Sequence, residues 1–151
     1  MDQSSIPINI YIDLSKAFDT LDHSILLRKL KHYGIEDVEN SLFRSYLSDR
    51  YQYVEYDRVP SATELVSTGV PQWSILRPLL FLIYINDLPL VSDLLDMVMY
   101  ADDTTLFCKI SDQVDETAIN TELSKIYNWL SSNKLSLNVA KTKVHGLPTY
   151  A

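Results

Sequence analysis

An α+β fold, a small antiparallel sheet with helices packed on one face, is predicted by three observations in this 151-residue chain. The apolar run Ile8-Asn9-Ile10-Tyr11-Ile12 ends abruptly in Asp13, as a buried strand with a charge at its mouth would. The turn Tyr100-Ala101-Asp102-Asp103 lies between two stretches rich in β-branched, aromatic and aliphatic residues, so the chain reverses there as a hairpin. Between and after these strands, apolar residues recur at helical spacing.

Taken in order, Pro7 to Asp13 forms the first strand. Ser24 to Tyr33 forms a helix with Asp22 near its start and Gly34 after its end, and Leu26, Leu27, Leu30 and Tyr33 make its buried stripe. A second helix, Val38 to Leu47, presents Leu42, Phe43, Tyr46 and Leu47. Tyr51 to Asp57 and Thr63 to Thr68 read as a hairpin across Pro60. The helix from Leu79 to Asp87 is apolar on most sides and is expected to be the central buried one. Met97 to Tyr100 and Thr104 to Ile110 flank the acidic turn. Gln113 to Ser131, with Asp112 as cap, carries Ile119, Leu123, Ile126 and Leu130 at helical spacing, and Leu135 to Leu137 and Thr142 to Leu147 read as short strands. No repeat, linker or low-complexity tract interrupts a single domain over residues 1–151. The Leu, Trp129 and Tyr stripes are expected in the core.

Two adjacent carboxylates at a hairpin repel each other, and a divalent ion removes that penalty. An Asp-Asp turn alone is common in solvent. If the strand ending at Asp13 lies beside the hairpin, however, Asp13 and Asp102 or Asp103 offer only oxygen donors, which suits a hard cation such as Mg²⁺. Such a site resembles a two-metal phosphoryl-transfer centre.

Ile12-Asp13-Leu14-Ser15-Lys16-Ala17-Phe18-Asp19-Thr20-Leu21-Asp22-His23 resembles the first palm motif of reverse transcriptases from retrotransposons lacking long terminal repeats (non-LTR, LINE-like). Ser67-Thr68-Gly69-Val70-Pro71-Gln72, Ser74-Ile75-Leu76 and Pro78 to Pro89 are similar to the second motif, Tyr100 to Asp103 to the third, and Asn133 to Lys143 to a fourth. Order and spacing agree along nearly the whole chain. The resemblance implies a reverse-transcriptase palm with a ferredoxin-like antiparallel sheet and a little of the fingers. Upstream fingers, thumb and endonuclease are expected to be absent.

By the same resemblance, Asp13, Asp102 and Asp103 would hold two Mg²⁺ ions, or Mn²⁺, with Asp103 the least direct ligand of the three. Leu14, Phe18 and Gln72 would bind substrate: the Phe18 ring fills the space a ribose 2′-hydroxyl needs, although it equally suits ordinary core, and Gln72 lines the nucleotide pocket unless it is a polar helix-start residue. Lys141 would protonate departing pyrophosphate, with Lys143 fitting almost as well. The implied partners are an RNA template, a DNA primer and a deoxynucleoside triphosphate. The family pattern has glycine where this chain carries Trp73 and Arg77. A bulky residue where glycine's positive φ is needed costs on the order of 1–3 kcal/mol, and a guanidinium buried at the start of an apolar helix is expensive without a partner. Both departures are expected to impair the polymerase.

A formal net charge of −7 is the reverse of what a self-sufficient nucleic-acid binder shows, so this chain alone is expected to bind primer and template feebly. Its basic cluster, Arg28-Lys29-Leu30-Lys31-His32, is expected on a solvated helix flank. The single Cys108 reads as a small buried hydrophobe and fits reducing, intracellular surroundings. His23, His32 and His145 lack zinc-ligand spacing. The longest apolar stretch, Leu79 to Ile85, is too short to span a bilayer. Two readings of different class compete: a metal-dependent RNA-directed DNA polymerase palm, and a catalytically inactive retroelement remnant that at most binds metal ions or another protein. A palm-fold cyclase or nuclease explains the residues around Gly69 and Phe18 least well.

Overall fold

Alternation along the first strand fixes which way the sheet faces: Ile8, Ile10 and Ile12 are buried, whereas Tyr11 is exposed and Asn9 and Asp13 are half-buried. The computed structural model describes residues 6–110 and 116–145. Its elements in chain order are β1 (Ile6–Asp13), α1 (His23–His32), α2 (Asp37–Leu47), β2 (Tyr51–Gln52), β3 (Glu55–Tyr56), β4 (Val59–Pro60), β5 (Glu64–Leu65), α3 (Leu76–Ile85), a 3₁₀ turn (Leu88–Val91), β6 (Asp96–Tyr100), β7 (Asp103–Ile110), α4 (Glu116–Ser132) and β8 (Lys143–His145). They divide into two compact units, Met1–Ala17 with Ile85–Ala151, and Phe18–Tyr84. The α+β class holds, with an antiparallel sheet as expected.

The first unit is built on a sheet of order β6-β7-β1-β8, antiparallel at every pairing. On its inner face Ile10 and Ile12 of β1 and Val144 of β8 look toward Leu123, Ile126 and Tyr127 of α4 across a groove of about 500 Å³. Ile119, Ile126 and Leu130 supply the buried stripe of α4, each stabilising by about 1.5–3 kcal/mol. Cys108 is buried on the same sheet, and burial, with the Asp96 charge adding to it, pushes its thiol pKa up. Glu122 of α4 is also buried; the hydrogen bond from Lys125 at 2.7 Å, followed by one from Ser92, holds its carboxyl below the usual range. The proposed cap Asp112 lies outside the described residues.

In the second unit, Asp22 caps α1, its Oδ1 accepting from the backbone N–H groups of Ser24 (2.9 Å) and Ile25 (3.0 Å) and from the Ser24 hydroxyl. The helix exits through a Schellman motif: Gly34 N–H donates to Lys31 O and Ile35 N–H to Leu30 O, with Gly34 at φ +85°. Leu26, Leu27 and Leu30 are buried, but Tyr33 sits at the cap and is exposed. On α2 only Leu47 is buried, and Leu42, expected inside, is exposed. The expected hairpin after it is two separate two-residue ladders, β2 with β5 and β3 with β4, both exposed.

α3 starts at Leu76, three residues before the expected Leu79. Proline is tolerated in the first helical turn, where its missing N–H has no partner to lose, so Pro78 does not bar the helix. Leu80, Phe81 and Tyr84 are fully buried, but Leu79 and Leu82 are exposed, so α3 is not covered on all sides. Tyrosines were expected in the core. Among the described residues Tyr84 is the buried one, and Tyr11, Tyr51, Tyr53, Tyr56, Tyr100 and Tyr127 are exposed. No helix among the described residues is long and apolar enough to cross a membrane.

Candidate active site

The hairpin between β6 and β7 closes in two residues, because Tyr100 pairs with Asp103 and only Ala101 and Asp102 lie between them. Ala101 takes φ +53°, the positive value that the first central residue of a tight hairpin turn adopts. β7 in turn pairs with β1 in a register that sets Asp103 directly opposite Asp13. Cross-strand partners of this kind place their Cβ atoms about 4.5–5.5 Å apart on one face. Since Ile12 and its partner Thr104 are buried, the two carboxylates belong to the opposite, open face of the sheet. Asp102 stands next to them in the turn.

A backbone clip carries the fourth segment to the same place. Asn138 N–H donates to Asp13 O (2.8 Å), Ser15 N–H to Ser136 O (2.8 Å), and Lys141 and Thr142 N–H groups turn back onto Asn138 O. Lys141 Nζ thereby stands 3.9 Å from Asp13 Oδ1. Asp13, Asp103, Lys141 and Lys143 line one open cavity of about 420 Å³, together with Tyr11, Ile12 and Ala140. Of the two lysines left open by the sequence, Lys141 makes the ion pair, and Lys143 pairs across from Tyr11 on β8.

Among the described residues no group of three or more His, Cys, Asp or Glu side chains, Asp13, Asp102 and Asp103 included, is placed to hold a metal ion by itself. Mg²⁺ seldom needs one: it keeps waters and is held by one or two carboxylates plus substrate phosphates. Oxygen-only donors at the open end of the sheet fit that requirement.

The remaining sequence-predicted residues lie in the second unit, apart from Leu14, which is buried at the end of β1 and bridges Leu137. Phe18 packs on Phe81, ring centroids 4.5 Å apart. Gln72 is exposed in a turn four residues ahead of α3, so it does not start the helix. Trp73 follows at φ +62° with its side chain entirely in solvent. The positive φ expected of a glycine position is thus present, and indole burial offsets none of its strain. Trp73→Gly is expected to stabilise the chain by about 1 kcal/mol, read from the midpoint of a urea unfolding curve.

Arg77 corrects an expectation. Its guanidinium is paired: Nη2–H donates to Asp19 Oδ1 (3.1 Å), Nη1–H to Val70 O (3.4 Å), and Cζ lies 4.8 Å from the Phe18 ring centroid. The cost of an unpartnered buried charge therefore does not arise. Lys29, expected on a solvated flank, instead donates to Tyr84 O (2.6 Å) and covers the Tyr84 ring. Sequence reasoning also missed Asp19, His23 and the structural weight of Gly69. Gly69 N–H donates to Leu21 O (2.8 Å), His23 Nε2 lies 2.7 Å from Gly69 O, and Thr68 Oγ1 donates to Asp19 O (3.2 Å). The only advance signal was Gly69 itself, one of three glycines in the chain.

This arrangement of antiparallel sheet and helices is the reverse transcriptase fold. It is similar to the telomerase from Candida albicans solved in complex with a TWJ fragment of telomeric RNA, with a TM-score of 0.71, 16% identity, and coverage of 97% of this chain and 28% of that one. Residues 3–147 match the family described as reverse transcriptase (RNA-dependent DNA polymerase), and the chain belongs to that family. Its relatives are polymerases of non-LTR retrotransposons. One is the RNA-directed DNA polymerase from mobile element jockey of Drosophila melanogaster, 25% identical over 93% of this chain. Another is the probable RNA-directed DNA polymerase from transposon BS of the same species, 30% identical over 88% of this chain. The chain spans 16% of the length of each.

Proposed function

We propose that this chain is the palm module of an RNA-directed DNA polymerase, transferring a deoxynucleoside monophosphate to a primer 3′-hydroxyl opposite an RNA template. The observation that carries the reading is the register that sets Asp13 opposite Asp103, beside Asp102 in the hairpin turn. In this reading Asp13 and Asp102 hold the divalent ions, with Asp103 contributing charge and Mn²⁺ able to replace Mg²⁺. The ions, when bound, neutralise the triphosphate and lower the pKa of the attacking hydroxyl. Lys141, whose ammonium stands at the rim of the same cavity, holds the proton for the departing pyrophosphate. By the resemblance, Phe18 excludes the ribose 2′-hydroxyl, and Leu14 and Gln72 are each substrate-binding residues. Trp73 impairs this chemistry by putting a free indole where the resemblance implies a close backbone approach. The acidic chain depends on neighbouring segments for cationic grip on template and primer.

Primer extension on an RNA template, with the chain carried in its longer polymerase, tests this reading. Asp13→Ala and Asp102→Ala should each abolish Mg²⁺-dependent extension while the protein stays folded. Extension at undiminished rate by either variant would refute it.

A further inference from the structure

Arg77 is a departure from the resemblance, yet its guanidinium is held on several sides. It makes three contacts at once: an ion pair to Asp19 Oδ1 at 3.1 Å, a hydrogen bond to Val70 O at 3.4 Å, and a stack on Phe18 at 4.8 Å. The Phe18 ring also leans on Phe81, at an interplanar angle of 37°. Val70 N–H closes the loop by donating to Phe18 O (3.2 Å). A rigid planar fork can satisfy both oxygen acceptors while its face lies on an aromatic ring, whereas a lysine supplies one compact charge and a glycine nothing.

We propose that Arg77 is a positioning residue that fixes the Phe18 ring, and so sets how strictly the nucleotide pocket rejects a ribose 2′-hydroxyl. The proposal rests on the polymerase reading for the role of Phe18, and on contacts within one unit for the clamp. Without the guanidinium, the ring keeps Phe81 but loses the group that faces it from α3, and its side-chain torsions are free to wander. Arg77 is then a support for the ring, with a function that glycine at this position would remove.

The test measures binding of dUTP and UTP, which differ only at the 2′-hydroxyl, to the 151-residue chain in Mn²⁺ by calorimetry, alongside NMR of the ¹³C-labelled Phe18 ring. Arg77→Gly and Arg77→Met should erode the dUTP-over-UTP preference by roughly threefold to tenfold, the size of a partly desolvated cation–π contact. Arg77→Lys should restore part of it. In a Phe18→Leu background Arg77→Gly should leave the ratio unchanged. A role confined to stability would lower the unfolding midpoint and leave the ratio as it was, which would overturn the proposal. If the unaltered chain binds neither nucleotide, the ring decides alone, and the polymerase reading is left to primer extension in the longer polymerase: Phe18 resonances unmoved by Arg77→Gly would overturn the clamp, and an averaged, shifted ring would sustain it.

Discussion

Gly69→Ala should destabilise the chain by roughly 3 kcal/mol, the sum of a left-handed backbone penalty and a steric one. Gly69 sits at φ +75°, and a Cβ built there would lie 2.7 Å from Asp19 O, 2.8 Å from Asp19 Cα and 2.9 Å from Asp19 C. These are backbone atoms, so no side chain can swing aside. The loop from Phe18 to Asp22 is laced to this glycine on both sides, through Leu21 O and His23, and must shift as a piece if the glycine grows. Gly34 is the internal control. It too has a positive φ, +85°, but open space beyond it, so Gly34→Ala should cost only about 1 kcal/mol. Urea unfolding of the two variants side by side separates the terms: equal losses would show that the Asp19 contact contributes nothing.

The parts of the fold that could be read from sequence are those whose cause is local. Ile8, Ile10 and Ile12 declare the strand and its buried face by period alone, and the Tyr100 to Asp103 turn declares the hairpin by its residue types. Asp22 and Gly34 mark the two ends of α1 because capping is settled within four residues. The register that brings Asp103 opposite Asp13 is another matter, since the two lie ninety positions apart, and it was reached only by supposing that the two strands are neighbours. Burial was misjudged wherever a partner decided it: Leu42, Leu79 and Tyr33 are apolar or aromatic at the right spacing, yet exposed. Arg77 and Lys29 were misjudged for the same reason in reverse, because their acceptors, Asp19 Oδ1 and Tyr84 O, lie 58 and 55 positions away.

Asp13→Asn should be more stable than the unaltered chain without divalent ions and less stable with them. Asp13 and Asp103 are like charges directly opposite in an antiparallel pair, an arrangement that costs roughly 0.2–1 kcal/mol. Removing one charge recovers that amount. It also removes the Lys141 contact, but that pair is 3.9 Å long with the lysine largely in solvent, so little is lost with it. A bound cation reverses the balance, because an ion that binds only the folded state stabilises it by about 2.7 kcal/mol at a hundred times its dissociation constant. The Mg²⁺-dependent rise in melting temperature should therefore vanish in Asp13→Asn and in Asp102→Asn. Asp103→Asn should share the gain without metal and keep part of the Mg²⁺ response, as fits a residue that faces Asp13 but is the less direct ligand. Thermal melts of the three variants with and without Mg²⁺ read all of this at once. Crossing curves would tie the repulsion at the end of the sheet to its use as a cation site, and parallel curves would show that the carboxylates oppose each other without ever sharing an ion.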